Sequence, residues 1–85
     1  MSFNKGDLVV CTAGREKDKL MCVWSCDEKC VYLCDGKERP LAEPKRKNLK
    51  HVIKIDKTLL QTDYMTDKAL RKALSREVNL WQNKI

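Results

Sequence analysis

The apolar pattern of this chain changes period once, near residue 58, and that change restricts the fold more than any other feature. Before it lie short runs rich in β-branched residues, each bounded by turn-forming residues. Residues 7–12 read Asp-Leu-Val-Val-Cys-Thr between Gly6 and Gly14, which is a strand punctuated by glycine. Residues 20–25 and 30–34 read as a second and third strand, separated by the polar turn Cys26-Asp27-Glu28-Lys29. Asp35-Gly36 is a hairpin signal, because glycine accepts positive φ and aspartate tolerates it. Pro40 and Pro44 disfavour a helix between them. Residues 49–55 alternate imperfectly, with Val52 and Ile53 adjacent, and are expected as the last strand.

After the change, Leu70, Ala73, Leu74, Val78, Trp81 and Ile85 fall three or four apart, the spacing of one helical face. Thr66 is an N-cap candidate, and Asp67 complements the positive end of the helix dipole. The pattern predicts a helix over 67–82, with Lys68, Arg71, Lys72, Arg76 and Glu77 on its polar side. Leu59, Leu60 and Met65 suggest a short helical turn before it that docks on the sheet. Five short strands with tight turns in about fifty residues point to a small barrel, which leaves few free edges. The expectation is therefore a mainly β fold. A barrel over 1–57 carries a C-terminal helical extension over 58–85, the two forming one domain.

Charge is distributed unevenly along this scaffold. Residues 1–36 carry five Lys/Arg against six Asp/Glu, whereas residues 37–57 carry eight against three. Within the second stretch, Lys45-Arg46-Lys47-Asn48-Leu49-Lys50-His51 holds four fixed cations and no acid. Such a string has little to gain from a core and much to gain from a polyanion, since neutralising phosphates releases condensed counterions. The bland alternative is a solvated lysine-rich loop. His51 has no carboxylate or cysteine neighbour in sequence and is read as a strand residue.

Other function classes find little support. No apolar run approaches the ~20 residues of a membrane span, and the N-terminal residues lack a signal peptide's apolar run. Five cysteines without an export signal imply reduced thiols and a cytoplasmic protein. Cys22, Cys26, Cys30 and Cys34 recur at every fourth position. On two paired strands, even spacing places Cys22 with Cys26 on one face and Cys30 with Cys34 on one face. Zinc is the alternative to packing, but no knuckle glycine accompanies them, and free cysteine packs as a small hydrophobe. Trp24 and Tyr32 stack on bases if exposed and join the core if the helix covers them; Trp81 on the apolar stripe favours coverage. There is no phosphate loop, HExxH or nucleophile elbow, so neither an enzyme, a cofactor nor a small-molecule substrate is expected.

Residues 5–23, Lys-Gly-Asp-Leu-Val-Val-Cys-Thr-Ala-Gly followed by a charged loop and a second apolar strand, resemble the KOW motif. That motif is a β-loop-β unit of small SH3-like barrels. Asp35-Gly36-Lys37-Glu38-Arg39-Pro40-Leu41 and Glu43-Pro44-Lys45-Arg46-Lys47-Asn48-Leu49-Lys50-His51-Val52 strengthen the likeness, as does the segment from Leu60 to Leu74. Together they resemble small bacterial KOW-domain RNA-binding proteins, which are similar to large-subunit ribosomal proteins of the fourteen-e, six-e and twenty-seven-e types. The family has a second glycine where this chain has Asp18, a residue type able to adopt left-handed backbone.

The resemblance implies an SH3-like five-stranded barrel that binds RNA, with Arg15, Lys17 and Lys19 as contacts in the loop after Gly14; there Glu16 and Asp18 alternate with the cations. The residues themselves nominate Arg39, Lys45, Arg46, Lys47 and Lys50, with Lys37 and Lys54 as secondary contributors. Expected partners are ribosomal or other structured RNA and, through it, the ribosome and translation. A protein-interaction adaptor on the ribosome or transcription machinery is the main rival reading, and a zinc-binding or redox module the second.

Overall fold

The computed structural model describes residues 2–82, the side chains of positions 81 and 82 excepted. Strands β1 (Asp7–Cys11), β2 (Leu20–Cys26), β3 (Cys30–Cys34), β4 (Lys45–Asn48) and β5 (Val52–Thr58) form one antiparallel sheet in the order β4-β3-β2-β1-β5. A 3-10 turn, Leu49–His51, joins β4 to β5, and a second, Gln61–Tyr64, leads into helix α1, Asp67–Gln82. Thr66 caps the helix, its hydroxyl accepting the Ala69 N–H at 3.0 Å. No described helix is long and apolar enough to cross a membrane.

Apolar residues on both sides of the sheet explain why its strands read as near-continuous hydrophobic runs. On one side Val9, Cys11, Met21, Val23, Val31 and Leu33 bury one another, with Phe3, Val52 and Leu49 at the margin. On the other, Leu8, Leu20, Cys22 and Cys34 meet Leu59 and the helix residues Leu70, Ala73 and Leu74. Burying each such leucine contributes about 1.5–3 kcal/mol. The helix adds nothing to the first cluster, so that side depends on the sheet, the N-terminal segment and the 3-10 turn.

The sheet is not closed; β4 and β5 are its two edges. Several expectations need correction. The cationic run forms β4 by pairing with β3, Lys45 opposite Leu33 and Lys47 opposite Val31. Asn48 then ends the strand, because its Oδ1 accepts the Lys50 N–H at 3.0 Å, a local bond that competes with the ladder. Residues 49–51 are consequently a 3-10 turn, and the last strand begins at Val52. Leu59 is buried and Tyr64 packs on the helix-side cluster, whereas Leu60 and Met65 are exposed. Glu77 is buried instead of lying on the polar side of α1. Trp81 and Ile85, assigned to the apolar stripe, lie outside the described side chains.

A register shift between Val23 and Ser25 reorders the cysteines. Two β2 residues, Trp24 and Ser25, occupy the space of one, so Cys26 pairs with Val31 while Cys22 pairs with Cys34. Cys22 lies in the helix-side cluster and Val31 in the opposite one. Cys22 and Cys26 are therefore on different sides of the sheet.

The hairpin turn fixes how the helix sits. Gly36 has φ +79°, and a Cβ there would collide with the carbonyl oxygen of Asp67. Arg71 Nη1 donates to the Gly36 carbonyl at 2.7 Å, and Asp67 Oδ1 accepts the Leu41 N–H at 2.8 Å. Gly36→Ala is expected to lower stability by about 2 kcal/mol, combining backbone strain with loss of close approach. A urea unfolding midpoint unchanged by that substitution would contradict this docking.

Candidate nucleic-acid interface

Strand period divides the cationic run. Successive side chains of β4 point to opposite faces, so Lys45 and Lys47 share the side of Leu33 and Val31, while Arg46 lies opposite Tyr32 on the helix side. Lys47 is buried, with 9% of its surface exposed, and cannot face a polyanion as expected. Its ammonium reaches Glu16 Oε1 at 3.1 Å, and Arg39 Nη2 lies 3.5 Å from Glu16 Oε2. Gly14 makes room for this contact: at φ +80°, its missing Cβ would stand 2.8 Å from Lys47 Nζ.

Glu16 thus gathers the first loop, the exit of the β3 hairpin and β4 around one buried carboxylate. Burial pushes its pKa up. The Lys47 hydrogen bond and the charges of Lys47, Arg39 and Lys45 outweigh that and leave it below its ordinary value of 4.5. Asp7 is a second such node, at the start of β1. It accepts the Thr58 hydroxyl at 2.7 Å and the Asn4 N–H at 2.8 Å, and pairs with Lys54 at 3.2 Å. Burial raises its pKa, and these hydrogen bonds with the Lys54 charge bring it below 3.8. Lys54 accordingly sits at the β5 edge, engaged by a carboxylate and separated from β4 by the width of the sheet.

The remaining cations fall into three places. Arg46 and Lys50 are exposed, and Lys45 is half-buried beside the Glu16 node. Arg15 and Lys17 are exposed on the first loop, where Asp18 takes φ 68°, the left-handed conformation its position requires, and Lys19 pairs with Glu38 at 3.1 Å. Lys37 is exposed on the hairpin turn, next to Gly36, which lies against Asp67 and Arg71 of the helix.

Sequence reasoning missed Lys29, which the fold brings to the β4 end. The Leu49 N–H donates to the Lys29 carbonyl at 3.0 Å, clamping the 3-10 turn that carries Lys50 onto the β2–β3 turn. It also missed the structural roles of Glu16 and Asp7. A lone acid between cations in sequence gives no sign of which distant cation it will meet.

Among the aromatics, Trp24 and Tyr64 pack edge to face with centroids 6.1 Å apart, and Lys5 Nζ lies 3.8 Å from the Trp24 ring centre. Tyr32 is half-exposed. All five cysteines are free, and only Cys26 is exposed. Hydrogen bonding to Cys22 and burial push the Cys34 thiol up. Among the described residues no three His, Cys, Asp or Glu side chains converge to hold a metal ion. No protein-family model matches the chain, and no curated protein matches it either.

The two buried carboxylates set a pH dependence. Each has a depressed folded-state pKa, so its contribution is present above 4.5 for Glu16 and 3.8 for Asp7 and is lost as pH falls through the depressed values. Stability is expected to be flat from pH 7 to 5 and to decline below pH ~4.5. Glu16→Gln is expected to lower stability at pH 7, leaving Lys47 unpaired, and to make the acid decline shallower. Equal acid slopes in parent and variant, measured by urea unfolding, would contradict the Glu16 assignment.

Proposed function

We propose that this protein binds RNA, with structured or ribosomal RNA as the ligand class, through Arg46, Lys50, Lys45 and Lys29 at the β4 edge. The observation that carries the reading is that Arg46 and Lys50 stay exposed on a hydrogen-bonded scaffold while their neighbour Lys47 is drawn inside. Side chains held this way present charge at fixed positions, which suits phosphate contacts that read shape more than sequence. Arg39 is engaged by Glu16 yet half-exposed, so it contributes at the margin. Arg15 and Lys17 extend the surface along the first loop. The chain's net charge of +6 favours the same class of partner.

We read the sheet as an open, SH3-like barrel of the KOW type. Four features support this: the β1–β4 meander, the pairing of β5 back onto β1, the 3-10 turn before β5, and bulges that bend β2 and β5. The sequence likeness to small bacterial KOW-domain RNA-binding proteins points the same way, and with it a cytoplasmic, ribosome-associated role.

A second reading has one specific observation behind it. A groove of about 350 Å³ opens between β5 and α1, lined by Leu8, Leu20, Ile55 and Leu80 with Asp56, Lys57 and Glu77 around them. Its apolar walls and the exposed Ile53 and Leu80 suit a protein partner, as an adaptor would need.

RNA affinity measured against salt separates the readings. Replacing Lys45, Arg46 and Lys50 together by glutamine is expected to weaken binding. It should also flatten the slope of log affinity on log salt by about 2–3, at ~0.7–0.9 for each phosphate no longer neutralised. An unchanged slope, or a parent protein without salt-dependent RNA binding, would overturn the proposal.

A further inference from the structure

One aromatic ring on the sheet is used by neither core. Trp24 and Tyr64 both pack against the helix-side cluster, and Phe3 is buried in the other. Tyr32 belongs to neither cluster, is half-exposed, and has as its one side-chain hydrogen bond a long 3.4 Å donation from its hydroxyl to Asp27 Oδ2. It stands opposite Arg46 in the β3–β4 register, and both residues lie on the helix side of the sheet. Next to this pair opens a hollow of about 290 Å³ lined by Asp27, Glu28, Lys29 and Arg46.

The hollow suits a particular kind of group. Its lining carries two acids and two bases, so the hollow itself suits a group without net charge, and phosphates fall to cations that reach out from its rim. Asp27 is already committed, because its Oδ1 accepts the N–H groups of Lys29 at 2.9 Å and Cys30 at 2.8 Å. That turn fixes the frame on which Tyr32 and Arg46 stand. A flat ring and a guanidinium side by side, next to a neutral polar hollow, match a planar neutral group with hydrogen-bonding edges. Lys29 on its rim and Lys50, brought to the same end by the Leu49–Lys29 backbone bond, suit the phosphates next to such a group.

We propose that Tyr32 and Arg46 form a stacking platform for an unpaired nucleobase, so that the preferred ligand is looped or single-stranded RNA and not uninterrupted duplex. A base inside a duplex has both faces covered and cannot stack on a side chain. This inference rests on the RNA-binding reading above and adds to it the class of RNA.

The test uses the full chain with two RNAs, a hairpin carrying 2-aminopurine in its loop and an uninterrupted duplex of matched length. The parent is expected to bind the hairpin more tightly and to quench the 2-aminopurine emission. Tyr32→Leu is expected to lose about tenfold in hairpin affinity, as removal of one stacking partner does. Its duplex binding should be unchanged and the quenching lost. Tyr32→Phe keeps the ring and is expected to keep both hairpin affinity and quenching. Hairpin binding by Tyr32→Leu equal to the parent's, or a parent that binds the loop without quenching, would overturn the platform. If the lysine and arginine variants still lose affinity then, RNA binding itself stands. A parent that binds neither RNA overturns both. The quenching by the parent decides the matter even where the leucine variant is unstable.

Discussion

The structure is organised around a buried carboxylate that receives two cations from distant parts of the chain. Glu16 lies between Lys47 and Arg39, and through them it joins the first loop to β4 and to the hairpin before it. Two charges out of water are costly unless each is paired and hydrogen-bonded, and removing one partner of such a pair typically costs about 3–5 kcal/mol. Geometry then carries the consequence outward. With Lys47 directed inward, the pleat directs Arg46 the other way, and Asn48 turns the chain so that Lys50 emerges at the same edge. Anchoring one cation sets where its neighbours point.

The same logic separates structural charge from charge available to a ligand. Lys47 and Lys54 serve the scaffold through Glu16 and Asp7, and Arg39 is shared between scaffold and surface. Arg46, Lys50 and Lys29 have no carboxylate within ion-pairing distance among the described residues. A compact row of seven residues in sequence becomes, in three dimensions, an internal tie and a smaller external edge. That edge adjoins Tyr32, the one aromatic ring among the described side chains that belongs to neither apolar cluster.

Much of this fold was legible in the sequence. β1, β2 and β3 stand where β-branched runs and glycines put them, and α1 has the predicted bounds because its apolar spacing and Thr66 cap are local signals. The errors arose where long-range contacts outweigh local preference. Lys45–Asn48 has poor strand propensity and becomes a strand only because β3 supplies its ladder partners. The bulge at Trp24 shifts the parity of β2, so equal cysteine spacing no longer means a shared face. For the candidate site, the sequence located the right segment and could not sort its side chains. Facing depends on the strand, and ion pairing depends on an acid some thirty positions away.

The most direct measurement compares Lys47→Met with Arg46→Met, each assayed both for unfolding free energy and for RNA affinity at a single salt concentration. A crossover is expected. Lys47→Met loses about 3 kcal/mol of stability, leaving Glu16 with one partner, and binds RNA as the parent does once folded. Arg46→Met keeps its stability and loses affinity. A Lys47→Met protein that is as stable as the parent but poor at binding RNA would contradict it.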